Sequence, residues 1–228
     1  MPRQPICARN FTTRSARPHN KLTATACCAL TCESLPVVTF GRSVRWRRSG
    51  CPVNVNRLAS VAETAGAELT IIPAPGWFDG IFDLHEAVMG WEVTQSLASE
   101  ISHNWNDLTP VTRAMLEDQG RIDEPRYRAA MADIPGIRHM MDAILSRFDA
   151  VLTLAAPGEA PEGMATGDPI FNRLWSVLQV PLVCLPVSKG PKGLPVGVQL
   201  VGARGADYRL ASAALFLETA IAAKGGLL

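Results

Sequence analysis

A break in pattern near residue 52 constrains this chain more than any other feature. Beyond Pro52 apolar residues recur at helical and strand spacings, whereas residues 1–51 sustain neither period. A core is built from segments that have an apolar face, so only the later part is expected to form one. The charge changes at nearly the same place. Residues 1–60 hold ten basic residues and one acidic residue, Glu33, a net of +9. The remaining twelve basic and twenty acidic residues give 61–228 a net of −8. An Arg-rich, Ser/Thr-rich, acid-poor start such as residues 1–31 fits an organelle transit segment. It equally fits a stretch never selected for structure, such as an incorrect start or an altered frame. We therefore expect 1–51 to be an unassigned, disordered basic leader and 52–228 to be one α/β body.

Of the 228 residues 47% are apolar and 19% charged, enough to bury a core and too little charge for a disordered chain. The best apolar runs, such as 177–187, contain polar residues or prolines, here Gln179, Pro181 and Pro186, so no membrane-spanning helix is expected. Five of six cysteines, Cys7, Cys27, Cys28, Cys32 and Cys51, lie in the leader, and the body keeps only Cys184. That usage suits a reduced, cytoplasmic body. Arg42, Arg45, Arg47 and Arg48 around Trp46 read as a short solvated basic run, and no nucleic-acid or membrane partner is expected.

Along the body, Leu58, Val61, Ala62 and Ala65 form a helical stripe ending at Gly66, and 68–73 reads as a short strand. After the Pro73–Pro75–Gly76 turn, Phe78, Phe82, His85, Met89 and Glu92 share one helical face while Ile81, Leu84, Val88 and Trp91 share another. A helix apolar on both faces is packed on two sides. Residues 107–117 and 124–146 supply further helix, with Pro135–Gly136 expected to interrupt the second. The β-branched run 148–156 reads as a buried strand that delivers a glycine- and proline-rich loop. Asp168 and Pro169 then open a helix over 170–179, followed by two strands around the turn 188–193 and a closing helix from Asp207. The order strand, helix, strand, strand, helix implies an α/β fold with a mixed β-sheet flanked by helices.

Local chemical motifs are sparse. His85-Glu86-Ala87-Val88-Met89 begins like a zinc-binding helix, but Met89 stands where the second imidazole is required, so no metal is expected. Asp83, His85 and Glu86 read as polar residues of a helix's first turns before they read as acid/base equipment. Glu92, on the same face as Phe82 and Met89, is expected to be a polar contact within the core, its carboxyl raised by desolvation unless partnered. Cys27, Cys28 and Cys32 lack the paired spacing and histidine of a tetrahedral site. No nucleophile elbow, phosphate loop or dinucleotide fingerprint is present, and no cofactor is expected.

The stretch 166–214, TGDPIFNRLWSVLQVPLVCLPVSKGPKGLPVGVQLVGARGADYRLASAA, carries a longer signal. Its T-G-D-P-x-F-N-x-x-W helix start, proline-flanked strand, G-x-P-x-G-x-Q-x-V-G strand and D-x-x-L-x-x-A helix occur in an order that resembles the C-terminal part of amidase-signature enzymes. LASVAETAGAELTIIPAP and DLHEAVMGWEVTQSLA upstream resemble that family's middle region, so the likeness covers about residues 52–224. The resemblance implies hydrolysis of a carboxamide C–N bond by a Ser-cis-Ser-Lys set, with a glycine- and serine-rich loop holding the oxyanion. Those elements belong to the family's N-terminal half. This sequence has no Gly-Gly-Ser-Ser-Gly-like segment, and Lys21, the only lysine before Lys189, matches nothing in the motif. No residue is assigned a catalytic role. The matching half implies pocket wall instead, shaped by the loop 156–166 and the helix around Trp77 to Trp91, for which Trp77, Ala156, Pro157 and Thr166 are the candidates; packing is the alternative for Trp77 and Trp91 and the reading for Trp175.

Three readings follow. The chain is a C-terminal portion of an amidase-signature hydrolase, inactive alone and recording a truncated or mispredicted gene. Or it is a non-catalytic interaction module that pairs with a separate N-terminal half, or with itself through sheet edges. Or it is an active enzyme with an unrecognised set that involves His85. A small amide is the expected substrate only once an N-terminal half completes the first.

Overall fold

The computed structural model describes residues 21–25, 55–72, 75–163 and 165–226. Twelve α-helices and β-strands follow one another among the described residues. They are β1 (Lys21–Thr25), α1 (Val55–Thr64), β2 (Glu68–Ile72), α2 (Ile81–Ser96), α3 (Ala98–His103), α4 (Pro110–Gln119), α5 (Glu124–Leu145), β3 (Ala150–Leu154), α6 (Ile170–Leu178), β4 (Leu182–Lys189), β5 (Pro195–Val201) and α7 (Asp207–Ala222). The strands form one mixed sheet in the order β2-β1-β3-β5-β4. β1 runs parallel to β2 and β3, whereas β3 with β5 and β5 with β4 are antiparallel.

Two expectations are corrected. Lys21–Thr25 falls in the stretch expected to be disordered, yet it forms the strand between β2 and β3. Five residues, K-L-T-A-T, are too few for a two-residue period to stand out. A slot between parallel strands is filled chiefly by backbone donors and acceptors, which any proline-free segment carries. The rest of 1–51 lies outside the described residues. The second correction is at Pro135, which does not interrupt its helix: α5 continues from Glu124 to Leu145. Ala130, Ile134, Met141 and Leu145 keep a buried stripe across it, while Pro135 itself is exposed. Packing of that stripe outweighs the lost hydrogen bond.

Each sheet face carries its own core. On one, α1 and α7 cover the strands, with Leu58, Ala62, Leu152, Val198, Leu200, Leu210 and Leu217 buried. On the other, Phe78, Ile81, Ile134, Leu145, Leu174, Trp175 and Leu178 of the α2, α5 and α6 side pack on Val151 and Val201. Period 2 explains the split, since Val151 and Val201 alternate with Leu152 and Leu200 across the pleat. The expected packing of α2 on more than one side is present, against α4, α5 and α6. Helix starts follow local chemistry. Thr109 accepts from the Thr112 N–H ahead of Pro110, and Asp123 accepts from the Arg126 N–H. Asp168 Oδ1 accepts the Ile170 N–H at 3.0 Å, with Pro169 just before the first helical residue. No helix among the described residues is long and apolar enough to cross a membrane.

Candidate functional site

β1, β2 and β3 are parallel, so the chain leaves β2 at Ile72 and β3 at Leu154 on the same edge of the sheet. Trp77 follows β2 by five residues, and Ala156 and Pro157 open the loop after β3. Open α/β sheets receive ligands outside such carboxyl edges. Antiparallel pairing of Leu154 with Val198 brings the β4–β5 turn to this edge as well.

Trp77 sits half-buried in the short 3-10 helix Gly76–Gly80. Its ring meets Phe78 edge-on, with centroids 4.7 Å apart, and packs on the α2, α5 and α6 core. Ala156 and Pro157 are half-buried, and Thr166 is exposed just before Gly167, whose φ of 80° suits glycine. The structure thus sets Trp77, Ala156 and Pro157 at one sheet edge and turns Thr166 to solvent in the approach to α6. Trp175 is buried, as its packing role requires, and Trp91 stacks on Tyr127 with centroids 5.8 Å apart.

Beneath this edge lies a buried polar pair that the sequence reading left unassigned. Gln199 Nε2 donates to Thr153 Oγ1 and to the Phe171 carbonyl, both at 3.0 Å, and Gln199 is 3% exposed. One amide therefore ties the first turn of α6 to β5 and β3. The Thr153 hydroxyl in turn donates to the Leu154 carbonyl, 3.1 Å away. The loop is held from the other side by Glu159, whose carboxylate accepts the Lys192 N–H at 3.0 and 3.1 Å and the Leu194 N–H at 2.8 Å. Glu162 pairs with the Lys192 ammonium. Gln199 has a legible signal, a lone amide inside a Val/Leu strand. Glu159 has none, since the loop around it has no period.

The α2 candidates stand apart from one another. Burial and, after it, the charge of Arg173 hold the His85 imidazole below its ordinary value. Glu86 faces Arg126 at 3.6 Å on a well-exposed surface. Glu92 corrects its expectation: it is exposed and accepts a 3.2 Å hydrogen bond from the Tyr127 hydroxyl. Ile81, Ala87 and Gly90 are the residues α2 buries, which turns the Met89 and Glu92 side toward water. Among the described residues no three His, Cys, Asp or Glu side chains cluster as a metal site. A separate open cleft of about 470 Å³, lined by Ser146, Ala203, Arg204, Gly205, Tyr208 and Arg209, lies at the opposite sheet edge, where β5 ends.

At the carboxyl edge the described hydroxyls of Thr153 and Ser188 donate to main-chain carbonyls of the next residue, Leu154 and Lys189.

An alignment 122 residues long, which covers 49% of this chain and 27% of the relative, is 35% identical to one component of the glutamyl-tRNA(Gln) amidotransferase of Wolinella succinogenes. A solved amidase superposes on 88% of this chain with a TM-score of 0.66 at 21% identity, using 46% of its own length. A bacterial aryl acylamidase of the amidase-signature family superposes on 89% with a TM-score of 0.57 at 16% identity, using 44% of its length. The chain has an amidase-signature fold. In sequence the chain is similar to that amidotransferase component over about half of its own length, and in fold to amidase-signature enzymes. The chain spans less than half the length of these relatives. No family model matches the sequence. The amidase-signature sheet here is mixed, as its element order implied, with helices on both faces.

Proposed function

We propose that this chain forms the pocket-wall half of an amidase-signature hydrolase acting on a small carboxamide, and that it does not hydrolyse amides by itself. The observation that carries this reading is an amidase-signature fold whose sequence in hand holds no glycine- and serine-rich nucleophile segment. Trp77, Ala156 and Pro157, at the carboxyl edge of the parallel strands, would line the acyl side of the pocket, with Thr166 at its solvent rim. A single missing oxyanion donor lowers rate by about 10² to 10³, and here donors, serines and lysine are missing together. The half that carries them would dock on the open edge of β4, where Leu182, Cys184 and Pro186 face solvent. A reducing, cytoplasmic setting suits the free, exposed thiol of Cys184.

The test is an assay of the purified 228-residue chain against simple aryl and alkyl amides, alone and co-expressed with the nucleophile-bearing half of an amidase-signature relative. No turnover alone and turnover on complementation are expected. Many turnovers by the chain alone would overturn the reading, and so would a stable complex that stays inert after pocket and nucleophile are both present.

A further inference from the structure

The Gly190–Leu194 turn between β4 and β5 is shaped around a side chain from elsewhere. Gly190 N–H donates to the Leu194 carbonyl and Gly193 N–H to the Gly190 carbonyl, both at 2.9 Å, which closes the turn on itself. Pro191 has no N–H, so the donors left over are those of Lys192 and Leu194. Both point at one carboxylate, that of Glu159, about thirty residues earlier in the chain. Backbone donors converging in a turn make an anion cradle. A second, independent feature marks the fit. A Cβ on Gly190 would stand 2.2 Å from Glu159 Cγ and 2.3 Å from its Cδ. Gly190 is therefore a glycine because the Glu159 side chain occupies that volume, and not because its backbone needs a positive φ, which Gly193 supplies at 83°.

We propose that Glu159 is a positioning residue that latches the loop after β3 onto this cradle and so sets the shape of the wall bearing Ala156 and Pro157, an assignment that rests on that loop being pocket wall. The loop has no regular structure of its own to hold it: residues 155–163 contain neither helix nor strand. Among the described residues its ties include Glu159, the Glu162 pair with Lys192, and the Ala155 N–H, which reaches the Gly197 carbonyl at 3.4 Å. Of these, the Glu159 bonds are the ones made deep in the loop to fixed main-chain atoms. The Lys192 ammonium sits on a flexible stem, and the Ala155 bond only extends the β3 ladder.

Amide hydrogen exchange on the intact chain tests this directly. In the unsubstituted protein the Lys192 and Leu194 amides exchange slowly. Glu159→Ala accelerates those two on the order of tenfold, the factor expected for one charge-assisted bond, while Gly193 and the β5 amides of Val198 and Leu200 hold their rates. Gly190→Ala expels the carboxylate from the other side and gives the same two-amide pattern. Glu159→Gln, which keeps a neutral acceptor, falls between. Unprotected Lys192 and Leu194 amides in the unsubstituted chain overturn the proposal, as does acceleration spread evenly over the sheet. Failure of the pocket reading is separable: a complemented complex that cleaves no amide leaves the exchange pattern as it was.

Discussion

Close packing at single positions shows where this chain has no freedom. Gly90 lets α2 approach α4, because a Cβ there would lie 2.5 Å from Gln119 Oε1 and 2.7 Å from Ile122 Cγ1. Both contacts are with buried side chains, so neither swings clear. Gly90→Ala is expected to lower stability by about 1 to 3 kcal/mol despite its gain in helix propensity, as a fall in the denaturant midpoint at constant slope. The same Gln119 Oε1 has no hydrogen-bond partner among the described residues. A buried acceptor left that way is a weak point, not an anchor. His85 gives a pH signature. Its imidazole is held below 6.5, first by burial and then by the Arg173 charge. The unfolded chain therefore takes up this proton at higher pH than the folded chain does. The stability contributed by the neutral ring is complete above 6.5 and drains away as pH falls through the folded value. His85→Gln should flatten this part of a stability–pH curve, and Arg173→Gln should shrink it; a slope unchanged by either substitution would exclude His85 as its source.

At the scale of elements, Pro135 is the telling case. Its ring removes one hydrogen bond from the interior of α5, yet the helix continues past it because its buried stripe spans the site. The outward position leaves room for an ordinary residue. Pro135→Ala is expected to stabilise the protein by up to about 3 kcal/mol, seen as a higher thermal midpoint. A lower midpoint would mean that the proline fits a bend the packing needs. This explains what could be read from sequence and what could not. Strands β3, β4 and β5 and helices α6 and α7 were legible because their periods and end residues agree with the packing they enter. β1 was not, because a five-residue strand takes its place from its neighbours' backbones. Pro135 misled because a local rule lost to a long-range stripe. The place of Trp77, Ala156 and Pro157 at the carboxyl edge was readable from strand ends, since a parallel strand's exit fixes the sheet edge. Glu159 was not, because its partner turn lies more than thirty residues away and the pairing leaves no trace in spacing.

For the whole molecule the open question is the β4 edge. β4 ends the sheet, and Leu182 is 40% exposed on the same side as the exposed Cys184 and Pro186. Farther along, the strand carries two of the devices by which natural edges resist pairing: a proline without an N–H, and a register shift between Pro186 and Ser188. Protection is therefore uneven. The half from Leu182 to Leu185 is regular, apolar and uncharged, while the half from Pro186 to Lys189 is broken and ends in a cation. Association through this edge should begin at the first half, whether the incoming strand belongs to a nucleophile-bearing partner or to a second copy. Because Leu182 is already substantially exposed, placing a charge there should disturb folding little. Leu182→Lys is expected to leave the thermal midpoint nearly unchanged and to abolish concentration-dependent growth in apparent mass on size-exclusion chromatography. Lys189→Leu, at the already broken end, should enhance that growth only slightly. A chain that stays monomeric at its highest soluble concentration, or one in which Leu182→Lys changes nothing, would show that the regular half of β4 is not where this fold meets its neighbours.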